Sequence, residues 1–201
     1  MKGKLPNTNK IDELNVNGIK VTTPHKIANE FVNHFSNNNH TNGTNSQHGS
    51  IKLKGTHTKN LLFKPTTPHE VFDIIQNLPP KSSTGLDEIP TIVVKKVASI
   101  ICDPISDIIN ECFSTGSIPT KLKISKITPV HKKGSKDDVS NYRPVALLSV
   151  FSKVIERIIY NRFLSFFIDN KIFVMNQYGF LPKRSTKAAI RDSLNTLINE
   201  L

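Results

Sequence analysis

The sequence predicts an α+β chain, mostly helical with one short β-hairpin. Apolar residues recur at helical spacing in several separate stretches, the signature of helices with one buried face. Two short apolar runs, Ile127-Thr128-Pro129-Val130 and Val145-Ala146-Leu147-Leu148, flank a polar segment holding Gly134, Ser135, Asp137, Asp138 and Asn141, the composition of two strands joined by an exposed loop. The 201 residues, 37% of them hydrophobic, suffice for one domain with a modest core.

Met1 to Val21 is polar and aperiodic and reads as a frayed start. Thr23 and Pro24 then offer a cap and a proline at the first helical position, and Ile27, Ala28, Phe31, Val32 and Phe35 define a short amphipathic helix ending near Phe35. From Asn37 to Gly49 there is no apolar residue to bury, so residues 37–60 read as a flexible linker between a start over 1–36 and a main body over 61–201. Thr67-Pro68-His69-Glu70 has the form of a reciprocal capping box, with Glu70 expected to reach back to the cap; Val71, Ile74, Ile75 and Leu78 form the buried stripe, and Pro79-Pro80 stops the helix.

Lys81 to Pro90 is a loop of turn formers. Thr91 to Cys102 and Pro104 to Phe113 are expected as two helices, because Asp103-Pro104 both breaks the first and caps the second; Gly116 suits a left-handed helix end. In the hairpin, Lys132 and Lys133 end the first run and Arg143 starts the second, so pairing the runs gathers three cations into a basic finger suited to phosphate. Phe151, Val154, Ile155, Ile158, Ile159, Phe163, Phe166 and Phe167 trace one long helical face, with Arg157 and Arg162 off it as solvated charges. A last helix starts near Ser185 and carries Ile190, Leu194, Leu197, Ile198 and Leu201, so the chain is expected to stop inside an element.

The formal charge is +11, and six lysines fall between Lys121 and Lys136 with no acid among them. Such a local excess is the electrostatic footprint of nucleic-acid binding, although charge alone favours the reading of a solvated lysine-rich surface. Cys102 and Cys112 have no further ligands nearby, so they read as buried helix residues of a reducing compartment, and the scattered histidines lack metal-binding spacing. No metal site is expected. No run approaches the ~18 apolar residues of a membrane span and no signal core opens the chain, which predicts a soluble intracellular protein, in nucleus or cytoplasm, without a membrane partner.

Four ordered blocks, HKKG, NYRPVALLS, SKVIERIIYNRF and QYGFLPKRST, preceded by KSSTGLDEIP, resemble the amino-terminal motifs of reverse transcriptases from non-LTR, LINE-type and jockey-like retrotransposons. The resemblance covers roughly Lys81 to Ile190, and more weakly Thr22 to Pro80. It implies the fingers and the start of the palm of a right-hand polymerase fold, truncated before the palm carboxylates of an F-x-x-D segment and a Y/F-A-D-D hairpin. Residues 61–201 would then be a partial reverse transcriptase domain lacking its catalytic palm.

By resemblance, Arg143 meets the nucleoside triphosphate, and Lys132 or Lys133 the same group or the template backbone; read without the family, Arg143 serves equally as a turn residue paired with Asp138. Lys126, Gln177, Gly179 and Arg184 are the expected template and primer contacts, Phe180 is expected in the core, and Lys183 stands where the family pattern often has glycine. Two decoys are set aside: Asp137-Asp138 as a turn feature, and Phe166-Phe167-Ile168-Asp169 as a helix end. No catalytic residue is expected here. The implied partners are an RNA template, a DNA primer and a deoxynucleoside triphosphate. Magnesium belongs to the complete family enzyme, with none bound by this fragment, which alone should be inactive. The alternatives are a non-catalytic basic nucleic-acid-binding module and a non-functional transposon relic.

Overall fold

Residue order and capping chemistry account for most of the architecture seen in the computed structural model, which describes residues 11–40, 61–174, 176–182 and 184–199. Strands β1 (Leu14–Val16) and β2 (Ile19–Val21) form an antiparallel hairpin, followed by helices α1 (Pro24–His40), α2 (Pro68–Asn77) and α3 (Thr91–Thr115). Strands β3 (Lys126–His131) and β4 (Tyr142–Leu147) form a second antiparallel hairpin, and α4 (Val150–Asp169) and α5 (Thr186–Asn199) complete the chain. The described residues fall into two units, one drawn from Met1–Lys54 and Thr66–Ile155, the other from Gly55–Pro65 and Glu156–Leu201.

The first unit departs from the sequence reading in three places. The polar start contains the β1–β2 hairpin, closed by Asn17 and Gly18 at φ 53° and 83°, with the Gly18 amide donating to Asn15 Oδ1 at 2.9 Å. Helix α1 runs to His40 rather than ending near Phe35, because a helix once nucleated extends through residues of merely neutral propensity. The linker assigned to residues 37–60 lies largely outside the described residues. Helix α3 is one helix, with Pro104 inside it.

Continuity of packing explains that third departure. Thr91, Val94, Ala98, Cys102, Ser106, Ile109 and Cys112 form a single buried stripe on both sides of Pro104. The carbonyl that proline leaves without an amide is that of Ile100, which is 76% exposed and open to water. A break at Asp103 would uncover half the stripe, and each large apolar side chain so exposed costs ~1.5–3 kcal/mol, against ~3 kcal/mol for an interior proline.

Helix α2 lies against α3. Thr67 accepts from the Glu70 amide at 3.2 Å as expected, whereas the Glu70 carboxylate receives the Thr66 hydroxyl at 2.8 Å. The Asn110 side chain clamps the Thr66 backbone from both sides, accepting from its amide at 2.7 Å and donating to its carbonyl at 3.1 Å. Val71, Ile74 and Ile75 are buried as the stripe predicts, and so are Cys102 and Cys112. Burial pushes the Cys112 thiol up from its ordinary pKa.

The junction between β4 and α4 is set by Gly85. A Cβ there would stand 2.6 Å from the Ser149 nitrogen and 2.8 Å from its Cα, so only glycine lets the Lys81 to Pro90 loop lie against that backbone. Ser149 caps α4: its Oγ accepts from the Ser152 amide at 3.0 Å, while the Ser152 hydroxyl donates to the Leu122 carbonyl at 2.8 Å.

In the second unit, α4 ends in a Schellman motif, with Lys171 left-handed at φ 52°, its amide on Ile168 O and the Ile172 amide on Phe167 O. Arg162 is not a free solvated charge; it donates to the carbonyls of Lys64 and Pro65 at 3.2 and 3.4 Å. Ser185 caps α5 through the Ala188 amide at 3.2 Å, and Ile190, Leu194, Leu197 and Ile198 are exposed along it. Leu201 lies outside the described residues.

Gly85→Ala should lower unfolding stability by ~3 kcal/mol, as expected for an added atom that only backbone movement can accommodate, whereas Ser83→Ala on the exposed side of the same loop should stay within ~0.5 kcal/mol. Urea unfolding of the two variants checks this, and equal midpoints would refute the close approach.

Candidate nucleic-acid interface

The register of β3 on β4 decides which side chains share a face. Val130 pairs with Arg143, Pro129 with Pro144 and His131 with Tyr142, and the Lys132 amide extends the ladder to Asn141 O at 2.8 Å. Because side chains alternate along a strand, Ile127, Pro129, His131 and Tyr142 point one way, and Lys126, Thr128, Val130, Lys132 and Arg143 the other. The first set meets α1. Tyr142 is buried, edge-on to Phe31 at 5.0 Å, in a cluster with Leu14 and Ile27.

The outward set therefore carries the cations. Lys132 stands diagonally from Arg143, a separation of about 7–8 Å on a hairpin, and Lys126 four residues along the strand at ~13 Å. All three are exposed, and none is in an ion pair among the described residues. Lys133 follows the last paired residue, in the turn. Asp138 does not pair with Arg143: its carboxylate accepts from the Ser140 amide at 2.8 Å and from Asn141 Nδ2 at 3.5 Å, capping the 3-10 turn Val139–Asn141. Those hydrogen bonds from Ser140 hold the Asp138 carboxyl below its ordinary pKa. Asp137 accepts from the Ser135 hydroxyl, so both carboxylates of the expected turn feature act within the turn.

The loop between the strands is held from inside. Asn141 Nδ2 donates to Ser135 O at 3.0 Å, and its amide lies against Gly134, where a Cβ would come within 2.6 Å. His131 Nε2 lies 3.1 Å from Gly134 O, and the Tyr142 hydroxyl donates to Lys136 O at 2.6 Å. Burial, followed by the neighbouring Asp137, pushes the Tyr142 phenol up, which keeps it protonated as that donor. Tyr142 was not singled out by sequence reasoning and Asn141 only as part of the polar loop, although both stand inside the NYRP block beside Arg143.

Gln177, Gly179 and Arg184 belong to the second unit. Gln177 Nε2 reaches Gly179 O at 3.5 Å, and the Arg184 guanidinium lies over the Tyr178 ring at 5.3 Å. Phe180, expected in the core, is 99% exposed with a left-handed φ of 62°. The tight turn that follows Gly179 forces its backbone out of the extended region and swings the ring to solvent; the aromatic that packs in this loop is Tyr178 instead. Its hydroxyl donates to Asp192 Oδ2 at 2.7 Å. Lys183 lies outside the described residues. Arg157 sits over the Tyr160 ring at 5.5 Å, and Asp169 accepts from the Ser165 hydroxyl at 3.1 Å at the helix end.

Among the described residues, no group of three or more His, Cys, Asp or Glu side chains could hold a metal ion, and no helix is long and apolar enough to cross a membrane. What the hairpin can do chemically is grip anions. A planar guanidinium flanked by point charges on a preformed strand face suits phosphate oxygens.

No family model matches the chain. It is similar to a probable RNA-directed DNA polymerase from transposon BS of Drosophila melanogaster, 31% identical over 127 residues, covering 63% of this chain and 14% of the relative. It is also similar to the RNA-directed DNA polymerase from mobile element jockey of the same species, 28% identical over 144 residues, covering 71% of this chain and 16% of the relative. A third relative, a probable RNA-directed DNA polymerase from transposon X-element, is 29% identical over 117 residues, or 58% of this chain and 13% of the relative. The chain thus spans about one seventh of the length of the curated relatives it matches.

The Tyr178–Asp192 contact should be pH-gated at both ends. The Tyr178 hydroxyl lowers the Asp192 pKa from 3.8, so the contact is present above that value and is lost as pH falls through the lowered one. Asp192 as acceptor raises the Tyr178 pKa from 10.0, so the contact is present below 10.0 and is lost as pH rises through the raised one. In Tyr178→Phe, the Asp192 carboxyl should titrate at higher pH by NMR; an unmoved titration would exclude the hydrogen bond.

Proposed function

We propose, from the premise that this chain is a homologue of the non-LTR retrotransposon RNA-directed DNA polymerases, that it is the segment of such a polymerase that grips the incoming nucleotide and the template. Residues 61–201 carry that segment, the fingers and the entry to the palm. The complete enzyme would make DNA on an RNA template from deoxynucleoside triphosphates, working in nucleus or cytoplasm.

The observation that carries this reading is the hairpin register, which supports a single cationic face of Lys126, Lys132 and Arg143 with no internal ion pair among the described residues. Arg143 would hold two phosphate oxygens with its fork, and Lys132 or Lys133 would add a point charge beside them. Fixed cations aimed at developing charge are the larger contributors to phosphoryl-transfer catalysis, because they need no reorganisation when the reaction occurs. Gln177, Gly179 and Arg184 would meet template and primer from the second unit.

Magnesium, the metal expected of the complete enzyme, does not find a fitting ligand set among the described residues. Asp137 and Asp138 are committed to the turn, and Asp169 to Ser165.

The test is fluorescence anisotropy of a DNA primer annealed to a longer RNA template, titrated with protein at several salt concentrations. Wild type should bind with a steep salt dependence. Arg143→Ala should weaken binding of a fluorescent deoxynucleoside triphosphate in the same assay about 10- to 100-fold, the loss expected for charged hydrogen bonds, and Lys126→Ala should reduce the slope of log primer–template affinity against log salt by about 1. Salt-insensitive binding, or an Arg143→Ala nucleotide affinity equal to wild type, would refute the proposal.

A further inference from the structure

We infer that Tyr142 is a positioning residue through which the β1–β2 hairpin and α1 set the phosphate-gripping loop. The inference rests on the reading of the β3–β4 hairpin given above, and assigns work to a layer of the fold that makes no contact with phosphate itself.

The loop from Lys132 to Asn141 is ten residues long and carries Lys132, Lys133 and Lys136, which a free loop would hold in no fixed arrangement. Two successive carbonyls fix its far side. Lys136 O accepts the Tyr142 hydroxyl at 2.6 Å, and Asp137 O accepts the Asn15 amide of β1 at 2.7 Å. One donor lies in an apolar cluster and the other, the exposed Asn15, adjoins it in sequence. Tyr142 is buried with Leu14, Ile27 and Phe31, and Leu14 immediately precedes Asn15. The Tyr142 ring is wedged edge-on between Phe31 at 5.0 Å and His131 at 5.3 Å, so the hydroxyl can reach Lys136 O only from where α1 holds the ring.

Position in the chain does the rest. Tyr142 is bonded to Arg143, and alternation sends the two side chains to opposite faces, one into the cluster and the other outward. Seating the ring therefore aims the guanidinium and pins the lysine-bearing loop in one event. Neither Tyr142 nor Asn15 bears charge, so this contribution to anion binding is separable from the charge count.

That separability defines the experiment. Tyr142→Phe keeps the ring in the cluster and the formal charge of the chain, and removes only the donor to Lys136 O. Phe31→Leu keeps apolar bulk and removes the edge contact. Amide hydrogen exchange on the free proteins should show the Asn15, Asn141 and Lys132 amides exchanging at least about tenfold faster in both variants, with α3 amides unchanged. In the anisotropy assay, both should bind the primer–template roughly two- to tenfold more weakly with a shallower salt slope, the size of one neutral hydrogen bond.

A residue that merely fills the core would leave both the loop exchange and the salt slope of Tyr142→Phe at wild-type values, and that result overturns the inference. Loop exchange that accelerates while wild type binds no nucleic acid would instead overturn the gripping function and leave the positioning of the loop established.

Discussion

A two-residue period governs this molecule. Once the apolar edge of the β3–β4 hairpin lies against α1, every second side chain must face away, and the register assigns Arg143, Lys132 and Lys126 to that outward set. A slip of one residue would turn Arg143 into the cluster beside Phe31 and Tyr142 out to water. The desolvation of a guanidinium without a partner makes that alternative prohibitive. The cationic face is thus a consequence of burying its opposite side, and its accuracy is that of the Tyr142 packing.

The surrounding elements bear on the same hairpin. At one end, the Asn141 side chain closes over Gly134 and Asp138 caps the short turn. At the other, Gly85 admits the Lys81 to Pro90 loop against the Leu148 and Ser149 backbone, and Ser149 caps α4. The hairpin is held at its tip by polar contacts, on its inner face by aromatic packing, and at its base by a contact only glycine permits. The conformational entropy of the loop between the strands is thus met during folding.

How much of this could be read from residue order depends on whether the deciding interaction is local. Capping at Thr67, the stripe of α2, the two strands around the lysine-rich turn and the end of α3 at Gly116 rest on contacts within a few residues, and all were legible. The β1–β2 hairpin had its local signal too: Asn17-Gly18 between Leu14-Asn15-Val16 and Ile19-Lys20-Val21 is the dipeptide that favours a two-residue turn. It passed unread because the flanking strands are three residues long and polar in part. Other features were not local, and residue order alone could not resolve them. Pro104 inside α3 is decided by a stripe running from Thr91 to Cys112, which outweighs a proline rule valid for an isolated helix. The pairing of Arg143 with Asp138 was open because both the turn and the outward face satisfy a guanidinium, until Ser140 and Asn141 claimed the carboxylate.

Charge shows why this distinction matters for function. Between Lys126 and Leu147 stand five cations and two carboxylates, a composition that describes a solvated turn as well as an anion site. The two differ in where the carboxylates are directed. Asp138 is turned onto the Ser140 amide and Asp137 onto the Ser135 hydroxyl, so each stabilises the turn while leaving the strand-borne cations without a competing carboxylate from that turn. A lysine or arginine already paired would have to release its carboxylate before meeting phosphate, at a cost comparable with the strength of the new ion pair. The hairpin avoids that exchange. Its acids order the backbone, its buried tyrosine donates to the loop at Lys136 O, and its strand-borne cations face water.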